Sequence, residues 1–332
     1  MKIALIICLM ILTSCTSTQE PFKNKLSTTS TFMSVSPISM EVPNRPVDIQ
    51  MRVSAPITGS KLPVILFSHG HGHSNYLSSM LGCAPLANYW ASHGFVVIQP
   101  THLDSKTLNL DPNGPEGPAF WHSRVKDMKF ILDHLDEIES NIPFLKGRLD
   151  KNKIAAVGYS LGGYTTAMLL GMQTTNPNNG EILDLSDTRI KAGVLMAAPG
   201  NGNDLNPNTA KRYPFLRHSN FETMTTPALI VNGDKDVNPL FTNRSDWRAD
   251  PYTLSNGSKC LLTVFGAEHS LGGIVGYDAL ETSDENTETV AFIQELTWSY
   301  LRTALYPEDT TWKNKQKLLK DSSNPLGRVD SK

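Results

Sequence analysis

From Val64 onward the chain alternates short, uninterrupted apolar runs with longer stretches in which apolar residues recur at helical spacing. The runs fall at residues 64–67, 95–98, 154–157, 192–197, 228–231 and 261–265. A strand covered on both faces needs apolar side chains at every position, so these runs predict a mostly parallel central sheet with helices on both faces. One helical stripe carries Val125, Met128, Ile131, Leu132 and Leu135, and another carries Val290, Ile293, Leu296, Tyr300 and Leu301. The gaps between runs are long enough for the crossovers that parallel neighbours require. Ahead of them, Val47, Ile49, Met51 and Val53 alternate with Asp48, Gln50 and Arg52, the period of a half-buried strand. The pattern predicts one α/β catalytic domain at 35–306 and a lysine-rich surface tail at 307–332.

The first residues follow a different pattern. Lys2 precedes an apolar run at 3–12 that is too short to span a bilayer, as in an export signal. It leads into Leu12-Thr13-Ser14-Cys15, which resembles the bacterial lipobox. That resemblance implies removal of a signal peptide at 1–14, acylation of Cys15 and a polar tether at 15–34. The protein would then be an exported lipoprotein of the cell envelope, facing the periplasm or on the outer membrane, and held by its acyl chains. A plain secretory signal is the alternative. Of four cysteines, Cys8 and Cys15 fall in this leader, leaving Cys83 and Cys260 either to pair or to remain as two buried thiols. The net charge of -2 offers no field for nucleic acid, which leaves a small organic substrate handled by a monomer as the expectation.

Candidate chemistry sits at the ends of the predicted strands. The run at 154–157 leads into Gly158-Tyr159-Ser160-Leu161-Gly162-Gly163 and a helix-compatible segment. A G-x-S-x-G turn of this kind lifts the serine hydroxyl above the sheet, with a helix N-terminus beneath it. A serine hydroxyl needs a base, and the base needs an orienting acid. Asp234 and Asp236 follow the strand at 228–231, and His269 follows the strand at 261–265 as the last histidine of the chain. The developing oxyanion needs fixed donors. The backbone N–H groups of Leu161 and His71 are the candidates, the latter in the loop Ser68-His69-Gly70-His71-Gly72-His73. The alternating histidines of that loop also resemble part of the H-x-H motif of metallohydrolases. No Asp-His pair follows at the spacing that motif needs, so no metal is expected there.

Together these residues resemble the α/β-hydrolase superfamily. Residues 66–305 are similar to its bacterial dienelactone-hydrolase-like and platelet-activating-factor acetylhydrolase-like branch, which includes chlorophyllase-type esterases. The marks are Phe67-Ser68-His69-Gly70, the segment Arg124-Val125-Lys126-Asp127 leading to Leu132-Asp133-His134-Leu135, and the G-x-S-x-G turn. The resemblance implies an α/β-hydrolase fold, acyl transfer to water without a cofactor, and a Ser160, Asp236, His269 triad, with Asp234 the rival acid. In the animal acetylhydrolases the acid follows the nucleophile at a much shorter spacing. Here it lies two predicted strands later, which argues against that particular phospholipid as substrate.

Around the site, the connection at 199–226 contains Pro207 and Pro214 and is too short for a large cap domain. Loops must then form the walls. The candidates are 101–121, carrying Phe120 and Trp121, and 271–278, with Tyr159 and Leu161 flanking the nucleophile. The expected substrate is a small-molecule ester. Acyl transfer to another acceptor, or a non-catalytic lipid-anchored binding module, are the competing functions.

Overall fold

A computed structural model describes residues 29–276 and 279–332. The expected signal at 1–14, Cys15 and positions 16–28 of the expected tether lie outside the described residues. The strands are β1 (Phe32–Met40), β2 (Ile49–Pro56), β3 (Leu62–Ser68), β4 (Val96–Thr101), β5 (Leu149–Tyr159), β6 (Thr174–Thr175), β7 (Ile182–Leu183), β8 (Ile190–Met196), β9 (Ala228–Gly233), β10 (Lys259–Val264) and β11 (Gly327–Ser331). All but the short β6-β7 ribbon join a 9-stranded sheet in the order β1-β2-β4-β3-β5-β8-β9-β10-β11. The run from β4 to β10 is parallel, while β1, β2 and β11 are antiparallel to their neighbours.

Helices α1 (Ala84–Ser92), α2 (Trp121–Asp133), α3 (Leu135–Ser140), α4 (Leu161–Leu169), α5 (Pro207–Arg212), α6 (Asp250–Thr253), α7 (Thr287–Leu305) and α8 (Thr311–Asp321) complete the chain. The uninterrupted apolar runs have a simple cause. Val64 and Leu66 enter one core with Met128 and Ile131 of α2 and Met168 of α4. Ile65 and Phe67 enter the other core, with Trp90 of α1, Ile293 and Leu301 of α7, and Trp312 of α8. Each fully buried Val, Leu or Ile contributes about 1.5–3 kcal/mol, so the two-sided strands anchor the fold.

Two elements lie beyond the sequence reading. β1 begins at Phe32, so the division drawn at residue 35 falls inside a strand. Most of its residues are exposed, which leaves no apolar run to read. The segment 307–332 supplies α8 and the edge strand β11, which pairs Val329 with Leu262. Cys83 and Cys260 are both buried and unpaired. Among the described residues no helix is long and apolar enough to cross a membrane, and no large helical cap lies between β8 and β9. The carboxyl ends of β3, β5, β9 and β10 meet at one rim, where open parallel sheets place their ligands.

Candidate active site

The turn from β5 to α4 holds Ser160 at φ 52° and ψ -118°. A left-handed non-glycine residue costs about 1–3 kcal/mol and persists only where its surroundings enforce it. Here the Ser160 N–H donates to the Met196 carbonyl at 2.8 Å, and the Ser160 carbonyl accepts from Gly163 at 2.9 Å. The flanking glycines are required by contact. A Cβ on Gly158 would lie 1.9 Å from the Gly162 oxygen, and one on Gly162 would lie 2.0 Å from the Ser68 oxygen. The motif therefore encodes a strand and a helix packed backbone to backbone.

His269, in the loop after β10, places Nε2 3.0 Å from Ser160 Oγ and Nδ1 2.8 Å from Asp236 Oδ2. With the Nδ1 proton donated to the carboxylate, Nε2 is left to accept the serine proton. The two aspartates separate cleanly. Asp234 accepts from the Gly266 N–H at 2.7 Å and ties the loop after β9 to the one after β10, while Asp236 reaches the imidazole. Tyr159 donates its hydroxyl to the His269 carbonyl at 3.0 Å, fixing the backbone of that loop.

Arg248 was not legible beforehand, because a single arginine in a short 3-10 turn carries no sequence signal. Its Nε lies 3.2 Å from Asp236 Oδ2 and its guanidinium lies over the Trp247 ring. Burial by itself would raise the Asp236 carboxyl, but the Arg248 and His269 charges outweigh it and hold the group below the usual carboxylate range.

Arg124 organises the loop after β3. Fully buried, it donates to both oxygens of Asp104, at 2.9 and 2.8 Å, and to the carbonyls of His69 and Gly70. His71 Nδ1 lies 2.8 Å from Asp104 Oδ2. Among the described residues the backbone N–H groups of His71 and Leu161 meet no protein acceptor, and both residues border the same cavity as Ser160. His69, His71 and His73 do not converge. His69 Nε2 accepts from the His102 N–H, His71 turns to Asp104, and His73 is exposed. No metal-binding group of three such side chains occurs among the described residues.

A second relay lies behind this loop. Ser68 Oγ is 2.9 Å from His102 Nε2, and His102 Nδ1 is 2.9 Å from Asp127 Oδ2. Asp127 also accepts from Arg45 at 2.9 Å.

The cavity beside Ser160 measures about 180 Å³. Its walls are Pro199, Tyr213, Phe215, Leu216, Asn238, Phe241 and Arg248, with His71, Leu161 and His269 completing the lining. This corrects the expected pocket residues. Trp121 is buried and stacks on Phe215 at 5.7 Å, so it backs the wall without facing the cavity. Phe120 adopts a left-handed conformation at the start of α2, and Tyr159 is buried under Gly70. Leu271, Ile274 and Val275 join the second core, while 277 and 278 lie outside the described residues. The walls come instead from the segments after β8 and β9. Their aromatic residues are scattered one at a time, which gave no pattern to find.

Comparison with known proteins bears on the fold that carries this site. Residues 144–297 match the model of the prolyl oligopeptidase family. Residues 26–109 match that of platelet-activating factor acetylhydrolase, isoform II. The sheet, the strained serine turn and these matches decide the architecture. This is the α/β-hydrolase fold. Among the relatives, a platelet-activating factor acetylhydrolase of Cavia porcellus is 27% identical over 37% of this chain and 35% of its own length. That of Bos taurus is 28% identical over 42% of this chain and 36% of its own. Cutinase 2 of Thermobifida cellulosilytica is 24% identical over 58% of this chain and 57% of its own. The chain thus spans about a third of the acetylhydrolases and just over half of the cutinase.

Proposed function

We propose that the protein is a cofactor-free serine hydrolase of short-chain carboxylic esters. The observation that carries this reading is the continuous relay from Ser160 Oγ through His269 to Asp236, with steps of 3.0 and 2.8 Å. Ser160 Oγ bonds to the ester carbonyl carbon as His269 Nε2 takes its proton. The carbonyl oxygen becomes an oxyanion held by the N–H groups of Leu161 and His71. Collapse breaks the bond to the alcohol, which leaves with the proton from His269. A water molecule then repeats the attack and releases the acid, restoring Ser160. Asp236, kept ionised beside Arg248, stabilises the imidazolium formed at each stage.

The names of the acetylhydrolase and cutinase relatives support an ester over an amide. A cavity of about 180 Å³ supports a short acyl group, since sites for drug-sized ligands run to about 300–1,000 Å³. The test is turnover of p-nitrophenyl acetate and butyrate against the matched p-nitroanilide. The reading predicts faster ester cleavage that vanishes in Ser160→Ala, and faster anilide cleavage would contradict it. We also propose anchoring through acylated Cys15, supported by the lipobox-like Leu12-Thr13-Ser14-Cys15. Radiolabelled palmitate should enter the full chain and be absent from Cys15→Ser.

A further inference from the structure

The cavity holds a second imidazole that the hydrolytic steps leave unused. His71 borders it together with Ser160 and His269, and its side chain is 21% exposed. Around His71 the structure repeats the surroundings of His269. Nδ1 lies 2.8 Å from a buried aspartate, Asp104, which an arginine, Arg124, grips in turn. Asp236 and Arg248 stand in the same relation to His269. An oxyanion donor at this position needs only the backbone N–H, which any side chain would leave in place. Arg124 and Asp104 hold the loop, but the Asp104 carboxylate also fixes the orientation of the His71 ring, which a backbone donor does not require.

With its Nδ1 proton given to Asp104, the ring keeps a lone pair on Nε2. That atom has no protein partner among the described residues. The ring stands nearly perpendicular to that of Tyr213, another cavity residue, with centroids 6.2 Å apart. We propose that His71 Nε2 accepts a hydrogen bond from a hydroxyl group of the substrate and makes the site selective for hydroxyl-bearing esters. This deepens the esterase reading and rests on it. The hydroxyl can belong to the acyl chain or to the alcohol. Because a site that pairs a substrate hydroxyl discriminates against analogues lacking it, the preference is worth about tenfold in kcat/KM.

The test compares ethyl 3-hydroxybutyrate and 2-hydroxyethyl butyrate with ethyl butyrate at about pH 8.5, above the ordinary imidazole range. The wild type should favour one hydroxyl ester by about tenfold, and which one identifies the side of the ester that His71 reads. In His71→Phe, which keeps a ring against Tyr213 and the backbone N–H, that ratio should fall to near one. Phosphonate labelling of Ser160 reports that the variant site is assembled. A wild type favouring neither hydroxyl ester, or a variant with an unchanged ratio, would overturn the proposal alone. Failure to cleave any of the three esters, with Ser160 unlabelled, would overturn the esterase reading with it.

Discussion

Two Ser-His-Asp relays occupy this domain, and their hydrogen-bond lengths are nearly the same. Ser160, His269 and Asp236 span 3.0 and 2.8 Å, and Ser68, His102 and Asp127 span 2.9 and 2.9 Å. The first opens on a cavity. In the second, Ser68 and His102 are completely buried, and the Ser68 hydroxyl also accepts from Arg124 at 3.2 Å. No carbonyl can approach a hydroxyl enclosed in this way. The relay by itself is therefore a means of satisfying buried polar groups. What makes one a candidate catalyst is the left-handed turn, the cavity and the two unengaged N–H groups around it.

The carboxylates differ as well. Arg248 and His269 draw Asp236 down against its burial, whereas burial of Asp127 outweighs Arg45 and raises it to about 6. One is poised to carry charge beside an imidazolium. The other is easily neutralised inside a scaffold. Burial, with Arg124 adding to it, likewise holds His102 well below the ordinary imidazole range.

The largest break between the relays should come from the two serines. Ser160→Ala should lower kcat by a factor on the order of 10⁶. Ser68→Ala should leave kcat within about tenfold and instead cost about 1–3 kcal/mol in denaturant unfolding, because it strands buried partners. The aspartates come next. Asp236→Asn should reduce kcat by a factor on the order of 10⁴, through loss of the imidazole orientation, and Asp127→Asn by no more than about tenfold in the same assay.

Asp127 also sharpens the contrast through pH. Its folded pKa, about 6, lies above the ordinary value, so the folded state holds that proton more tightly than the unfolded chain. The associated stability is fully present below the unfolded pKa and is lost as pH rises through about 6, on the order of 2 kcal/mol between about pH 4 and pH 7. Asp236 has the opposite sign, contributing above its unfolded pKa and losing that contribution as pH falls through its lower folded value. Chemical denaturation across this range should show Asp127→Asn gaining on the wild type as pH rises, and parallel curves would refute the assignment. The smallest effect belongs to Phe120→Ala, expected to change kcat/KM by less than about threefold, since its ring lies off the cavity.

Much of this was legible because some sequence patterns have only one structural solution. Two-sided strands left apolar runs, and a backbone approach so close that a Cβ on Gly158 or Gly162 would lie within 2.0 Å of a carbonyl oxygen left a glycine motif. Ser160, Asp236 and His269 each follow such a strand, so topology assembled them. Arg248, Asp104 and the cavity wall from Tyr213 to Phe241 follow no period. Their meeting depends on loop geometry that spacing does not encode. Trp121 illustrates the converse, an aromatic near the site in sequence whose flat partner, Phe215, holds it behind the wall.

Treating the intact protein with a fluorophosphonate and mapping the adduct by mass spectrometry tests the central claim most directly. A single modification on Ser160, abolished in His269→Gln and with Ser68 untouched, is the predicted result. An intact, folded protein that takes no label at Ser160, or takes it at Ser68, would contradict the account.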